Sequence, residues 1–456
     1  MTQHSSLSAS DDGATRAAIY RASLLYFIGD PALDPAALQW HEDGALHVRD
    51  GRIVDVGSAS EVLARVTSDG DGGVSAVAAA PAIHDWRGRI VMPGFIDTHL
   101  HFPQTEMIGS PAPGLLPWLE HYTFPTERAF EDSAHAQTIA DVFIDELLRN
   151  GTTTAMVYCS VHPQSVDALF EVCAARDLRM IAGKVMMDRH CPPWLSDTAE
   201  RGAQESEALI ARWHNKQRLA YAITPRFAPT STSAQLAVAG ALAKQYPDTY
   251  IQSHVAENRD EVAWVKELFP TARSYLNVYD QVGLLRERAM YGHCIYLDDD
   301  DRARMAETGA AAAVCPTSNL FLGSGLFDFE KAQRSGMPIT LATDVGGGTS
   351  FSMLATMNEA YKVARMGGYY LDATRMFYLS TLGAARALHL EGQVGSLAVG
   401  NEADFIVVDR HATPLLSRRT DRCTSVDETL FALAMLGDDR AIAATFSHGR
   451  CVHRRD

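Results

Sequence analysis

From about Pro93 to Asp344 the chain alternates short apolar runs with longer stretches whose apolar residues recur at helical spacing. Eight runs stand out: RIVMPGFIDTHL, TTTAMVY, MIAGKVMM, AYAITP, YIQSHV, AMYGHC, AAAVCP and PITLATD. They are rich in Val, Ile, Thr or Ala and short enough for strands buried on both faces. The stretches between them end as helices do: AHAQTIADVFIDELLRNG stops at Gly151, and NRDEVAWVKELFP stops before Pro270. Eight strands alternating with helices over about 300 residues predict an α/β fold of the (β/α)₈ TIM-barrel type. An open doubly wound sheet is the competing architecture, but no GxGxxG and no GxxxxGK phosphate loop follows any run. Gly346-Gly347-Gly348 lacks the Lys of such a loop and reads as a flexible turn.

Outside a barrel domain spanning 91–388, the pattern turns to short β-rich runs. ALHVRDGRIVDVG is two alternating strands meeting at Asp50-Gly51; VGSLAVGNEADFIVVD and AIAATFSHGRCV read as strands at the other end, the latter turning at His448-Gly449. Neither 19–90 nor 389–456 has many strands of its own, so the two are expected to join into one small β-sandwich carried by the barrel. Residues 1–18 are polar, have no apolar h-region and read as a mobile leader.

Composition narrows the partners. Fifty-six acidic against forty basic residues give a formal net charge of -16, which disfavours nucleic acid and anionic membrane surfaces. The seven cysteines are scattered without CxxC spacing, which points to reduced thiols and a cytoplasmic protein. No run is apolar and long enough to predict a membrane span.

In such barrels chemistry collects at the carboxyl ends of the strands. The first run ends in His99 and His101, the fifth in His254, the sixth in His293 and the eighth in Asp344. An HxH triplet alone is weak, since seventeen histidines would produce roughly 0.6 of them by chance, and most lone histidines are structural. Joint placement is what carries meaning: His99 and His101, two apart on a strand, share a face and can meet one ion with the others. Imidazole and carboxylate donors without thiolate suit Zn²⁺ in an open catalytic site, and Fe²⁺ or Co²⁺ would also be accommodated. Hydrolysis by a metal-activated water is the reaction class this favours. Glu257, just past the fifth run in SHVAENRDE, reads either as an acid at a helix start or as a proton shuttle beside the metal. His121, His162 and His190 read as loop residues.

These motifs resemble the amidohydrolase superfamily: PGFIDTHLH (Pro93 to His101), SHVAEN (Ser253 to Asn258), GHC (Gly292 to Cys294), CPTSN (Cys315 to Asn319) and ATDVGGGTS (Ala342 to Ser350). Within it, HFPQ (His101 to Gln104), TFPTERAF (Thr123 to Phe130), GKVMMDR (Gly183 to Arg189) and TPRFAPT (Thr224 to Thr230) are similar to the guanine deaminases. The resemblance implies one Zn²⁺ per subunit, with Fe²⁺ as the other metal, held by His99, His101, His254 and Asp344. It also implies a pocket in which Gln104, Arg226 and Phe227 hold a purine, with His101, His254, Glu257 and Asp344 touching it. The implied activity is hydrolytic deamination of guanine to xanthine and ammonia, in purine catabolism or salvage, by metal-bound hydroxide attacking C2. Glu257 would be the proton shuttle, Asp344 would take a proton, and His293 would ligate the metal or stabilise the intermediate; a homodimer is implied as well.

Independently, Arg226 offers only donors, which suit O6 of guanine and not the amino group of adenine. Many related barrels bridge two metals with a carbamylated lysine; Lys184, the one lysine in a strand run, lies three residues short of its end, which favours a single metal. Pro117, before Trp118 in LLPWLEHYTFP, stands where the resemblance leads one to expect an acidic residue. Other aminohydrolases of aminopurines, triazines or pterins would share the metal set. A non-catalytic binding or assembly protein on this barrel is the alternative of another class, and the intact histidine, aspartate and glutamate set argues against it.

Overall fold

The computed structural model describes residues 17–69 and 81–455. The expected leader lies outside the described residues except for Ala17 and Ala18, which already open the strand Ala17–Phe27.

Eight parallel strands form the barrel: Phe95–His101, Thr152–Tyr158, Arg179–Gly183, Leu219–Pro225, Tyr250–Val255, Ala289–His293, Ala311–Val314 and Ile339–Leu341. Each pairs with its successor, and a two-residue strand, Val185–Met186, prolongs the third strand beside the fourth. The eighth meets the first through the Thr98 and Thr340 hydroxyls at 2.6 Å and through the Asp344 amide, which donates to the His99 carbonyl at 2.9 Å. The expected barrel is therefore present, with one boundary moved. RIVMP belongs to a different strand, Ala82–Pro93, and the barrel begins at Phe95. That run is as apolar as a barrel strand because it too is covered on both faces: Ile90 and Met92 join the barrel core, Val91 the core of the small domain.

The two chain ends combine into one seven-stranded sheet in the order Arg450–Arg454, Ile442–Ser447, Phe405–Val408, Ala82–Pro93, Ala17–Phe27, Leu38–Arg49, Arg52–Ser58. Both anticipated hairpins are two-residue turns with left-handed backbones, φ 50° and 77° at Asp50-Gly51 and 47° and 74° at His448-Gly449, as the twist of paired strands demands. The sandwich is a single sheet folded over. Its opposite ends meet, so that a Cβ on Gly51 would strike the His448 ring, and stacked Phe405 and Phe446 with Tyr20 fill the fold.

Two expectations for the tail need correction. VGSLAVG forms no strand, and the segment between Val408 and Ile442 carries two α-helices, Pro414–Thr420 and Val426–Leu436. The second helix packs on the barrel-side helices Met353–Met366 and Ala373–Leu379 rather than on the sheet, because VDETLFALAML is apolar at helical spacing and needs a helical partner. No helix among the described residues is long and apolar enough to cross a membrane.

Sheet and barrel are joined by a buried ionic cluster at the amino ends of the strands. Arg218 donates to Glu402 at 2.6 Å, to Asp404, to the Ser447 hydroxyl at 2.9 Å and to the Asp177 carbonyl at 2.7 Å, while Arg179 holds the other Glu402 oxygen at 2.6 Å. This face of a barrel serves stability. An Arg218→Ala variant leaves buried carboxylates uncompensated and is expected to lose about 3–5 kcal/mol of stability in urea unfolding while its KM stays unchanged.

Candidate active site and metal centre

His99 is the pivot of the site. It is completely buried at the floor of the barrel mouth, and neither ring nitrogen has a hydrogen-bond partner. Around it stand His101, His254 and His293, with ring centroids 5.4, 4.7 and 5.4 Å away. Such close approach requires Gly292 on the sixth strand, across the barrel, where a Cβ would lie 2.5 Å from the His99 ring. Asp344 Oδ1 is 3.4 Å from His99 Nε2 and 3.5 Å from His101 Nε2, and the Nε2 atoms of His101 and His254 face each other at 3.1 Å. Two donor groups overlap at His99: His99, His101 and His254 in one, and His99, His293, Cys315 and Asp344 in the other, each with its donor atoms within 4.8 Å of one another.

These donors fit a divalent cation. Orphaned buried nitrogens are costly unless something accepts their lone pairs. His254 Nδ1 donates to the Arg226 carbonyl at 2.7 Å, which leaves Nε2 bare toward the cluster, the usual device for orienting a ligand imidazole. Burial pulls His99, His101 and His254 below the ordinary histidine range, keeping them in the neutral, ligating form. Against the opposing effect of burial, the His99 imidazole holds the Asp344 carboxyl down at about 2, so it is ionised. His293 and Asp344 both have left-handed backbones, φ 69° and 52°, a conformation that L residues adopt at a cost and that aims their side chains inward.

Glu257 lies beside His293, Oε2 to Nε2 3.3 Å, and its Oε1 accepts from the Ser324 hydroxyl at 2.8 Å. Burial pushes it up to about 7, with His293 opposing. His293 is itself driven down by burial but held above its ordinary range by Glu257 and Asp344; its Nδ1 faces Asn319 Oδ1 at 2.8 Å. Helix capping after the fifth strand falls to other residues: Asn258 and Glu261 form a capping box, and Glu261 accepts from the Glu257 amide at 2.9 Å. Glu257 is thereby placed, with its side chain free for the mouth.

One cavity opens onto these groups. Every residue that the sequence assigned to substrate lines it: His101, Gln104, Arg226, Phe227, His254, Glu257 and Asp344, together with His293. His99 lies beneath. The roof is apolar, built from Leu115, Trp118, Leu119 and Leu322. Pro117 sits in the helical turn Leu115–Trp118, whose first amides have no helical acceptor in any case, and Trp118 is anchored by its indole N–H on the Ser110 carbonyl at 3.1 Å. An apolar slot with a few convergent polar groups is the usual form of a small-molecule site.

Several expectations change here. Gly346-Gly347-Gly348 is no free turn; it is buried, and added Cβ atoms would strike Gln104, Ser318 and Thr343, so its glycines allow backbone to pass close to the site. His121 lies in a helical turn, Leu119–Thr123, whereas His162 and His190 lie in loops. Lys184 is buried on Asp197 and Glu205, away from the histidine cluster.

Four polar residues of the site were not singled out from sequence. Glu127 pairs with Arg226 at 2.7 Å and accepts from Gln104 at 3.1 Å. Asp97 accepts from the Thr343 hydroxyl at 2.5 Å and from its amide at 3.1 Å, and burial pushes it up to about 7. Asn319 and Ser324 hold His293 and Glu257. Glu127, Asp97 and Asn319 lie within motifs already noted, so the signal was present without a role attached.

The amidohydrolase family matches residues 90–452. A guanine deaminase of Escherichia coli is 47% identical over 429 residues, covering 94% of this chain and 95% of the relative. A solved structure of E. coli guanine deaminase superposes with a TM-score of 0.90 at 44% identity, covering 96% and 99% of the two chains. A guanine deaminase from C. acetobutylicum, solved with guanine bound in its active site, does so with a TM-score of 0.83 at 27% identity, covering 96% and 100%. On this family match and on identity spanning nearly its whole length, the chain belongs to the amidohydrolase family of metal-dependent hydrolases and, within it, to the guanine deaminases.

Proposed function

We propose that the chain deaminates guanine to xanthine and ammonia by hydrolysis, with one zinc ion per subunit held by His99, His101, His254 and Asp344. The observation that carries this is the meeting, in one cavity, of the imidazole–carboxylate cluster with a wall of hydrogen-bonding groups, Arg226 and Gln104, beside the Phe227 ring. Zinc suits three imidazoles and a carboxylate, and Fe²⁺ is the other metal such donors accept.

A divalent cation held by these donors would lower the pKa of water to about 7 and so would supply a nucleophile at neutral pH. Asp344, ionised and directed at the cluster, takes a proton from the attacking water. Glu257, near 7, can hold or release a proton at neutral pH, and carries one to N3 of the ring, which makes C2 electrophilic. Ser324 and His293 keep its carboxyl in place. His293, with its raised proton affinity, faces the charge that develops as the amino group takes the proton held by Asp344 and leaves as ammonia, while the new hydroxyl on C2 returns a proton to Glu257. Arg226 donates to O6, and Phe227 with the leucine and tryptophan roof packs the neutral ring and keeps water out.

The test is xanthine formation by purified protein with and without a chelator, followed by zinc restoration. Turnover of guanine that is lost on demetallation and returns with Zn²⁺ is the expected result. Full activity after rigorous demetallation would refute the metal, and ammonia released faster from another aminopurine, a triazine or a pterin would refute the substrate. A cytoplasmic setting and a homodimer are part of the same proposal. None of the seven cysteines is in a disulfide, as suits a reducing compartment, and the dimer follows from the family resemblance, to be checked by light scattering.

A further inference from the structure

Glu127 sits in the roof segment Phe124–Arg128 and is buried to 1% exposure. A carboxylate is kept so far from water only when it is fully engaged, and each of its oxygens is: Oε2 accepts from Arg226 Nη1 at 2.7 Å, and Oε1 from Gln104 Nε2 at 3.1 Å. Two consequences follow. First, the Gln104 amide has one permitted orientation, because turning it over would set its carbonyl against the carboxylate; Oε1 instead accepts from the Gly346 amide at 3.2 Å and keeps a second lone pair. Second, the Arg226 guanidinium, which also lies 5.7 Å over the Phe124 ring, has one Nη engaged and its charge balanced, while its remaining donors have no protein acceptor among the described residues. The wall therefore presents cationic donors beside an amide acceptor with no net charge. That pattern matches a neutral lactam edge, a ring carbonyl next to a ring N–H.

We infer that Glu127 is a positioning residue that sets the specificity of the site for the neutral lactam edge of the purine, by orienting Gln104 and balancing the charge of Arg226. The inference rests on the guanine reading above. Glu127→Gln keeps the shape but frees the amide to invert and leaves Arg226 as an uncompensated cation. Guanine KM is expected to rise at least about tenfold with kcat within about threefold, the mark of lost ground-state binding. Xanthine, a stronger acid than guanine, gains from the bare cation, so at mildly alkaline pH the ratio of its inhibition constant to the guanine KM should fall at least about tenfold. A merely structural role would weaken both together. In an Arg226→Ala background the same change should cost kcat/KM less than it does alone, because the part that runs through Arg226 is already gone and only the part that runs through Gln104 is left. Should Glu127→Gln not fold, Glu127→Asp retains the charge and should raise the guanine KM without shifting the xanthine-to-guanine ratio. Wild-type turnover of guanine with an unmoved ratio in Glu127→Gln, a shifted ratio in Glu127→Asp, or additive effects of Glu127→Gln and Arg226→Ala would overturn the role of Glu127 alone. A wild-type protein that forms no xanthine would overturn the reading beneath it.

Discussion

A Glu257→Gln enzyme is expected to fold, to carry its metal and to turn guanine over at about a hundredth of the parental kcat or less, since one well-placed acid–base group is worth roughly 10²–10⁴ in rate. The substitution is close to isosteric. Its amide oxygen can still accept from Ser324, and the backbone remains pinned by Glu261, so the loop after the fifth strand keeps its course. What disappears is the exchangeable proton. Glu257 is buried between His293 and Ser324, with a carboxyl pushed to about 7, so at neutral pH both of its states are populated and either can be used without delay. An amide has no such second state. Steady-state kinetics with metal analysis of the same preparation decides the matter, and a variant with full metal and near-parental turnover would remove Glu257 from the proton path.

The larger loss is expected from Asp344→Asn. Asp344 Oδ1 lies within 3.5 Å of both His99 and His101, and it is the ionised carboxylate of the proposed ligand set. Asparagine removes the charge that opposes a divalent cation and can turn an N–H toward imidazole nitrogens meant to stay bare. Both effects weaken the metal site, and the group that accepts the proton of water is lost as well. Metal occupancy should fall, and kcat/KM should drop by more than about 10³ even in excess zinc. Zinc titration followed by the guanine assay measures the two separately. Full occupancy with a loss under tenfold would mean that Asp344 is neither ligand nor base.

Much of this site was legible before any fold was seen, and the reason lies in the topology of the barrel. Once eight βα units are counted, the carboxyl end of each strand is known to face one mouth, so His99, His101, His254, His293 and Asp344 could be gathered from positions 245 residues apart. Glu127 could not. Its role is defined by Gln104 and Arg226, which are 23 and 99 positions away, and nothing in TFPTERAF distinguishes a buried clamp from a solvated helix acid. The same limit hid the meaning of the glycine run. Three successive glycines read as slack, yet here they let backbone pass where any Cβ would collide.

By itself, then, the amino-acid order determined the alternation of strands and helices along the barrel, both two-residue hairpins and the residues that arrive at the barrel mouth. These follow from periodicity, backbone preference and spacing, which act over a few neighbouring residues. Only the tertiary structure decided where RIVMP goes, that the end sheet folds over on itself, that a helix of the tail packs on the barrel, and which donors and acceptors pair around Arg226. Each of these depends on what covers a face or answers a charge from a distant part of the chain, and burial of that kind is a property of the assembled fold.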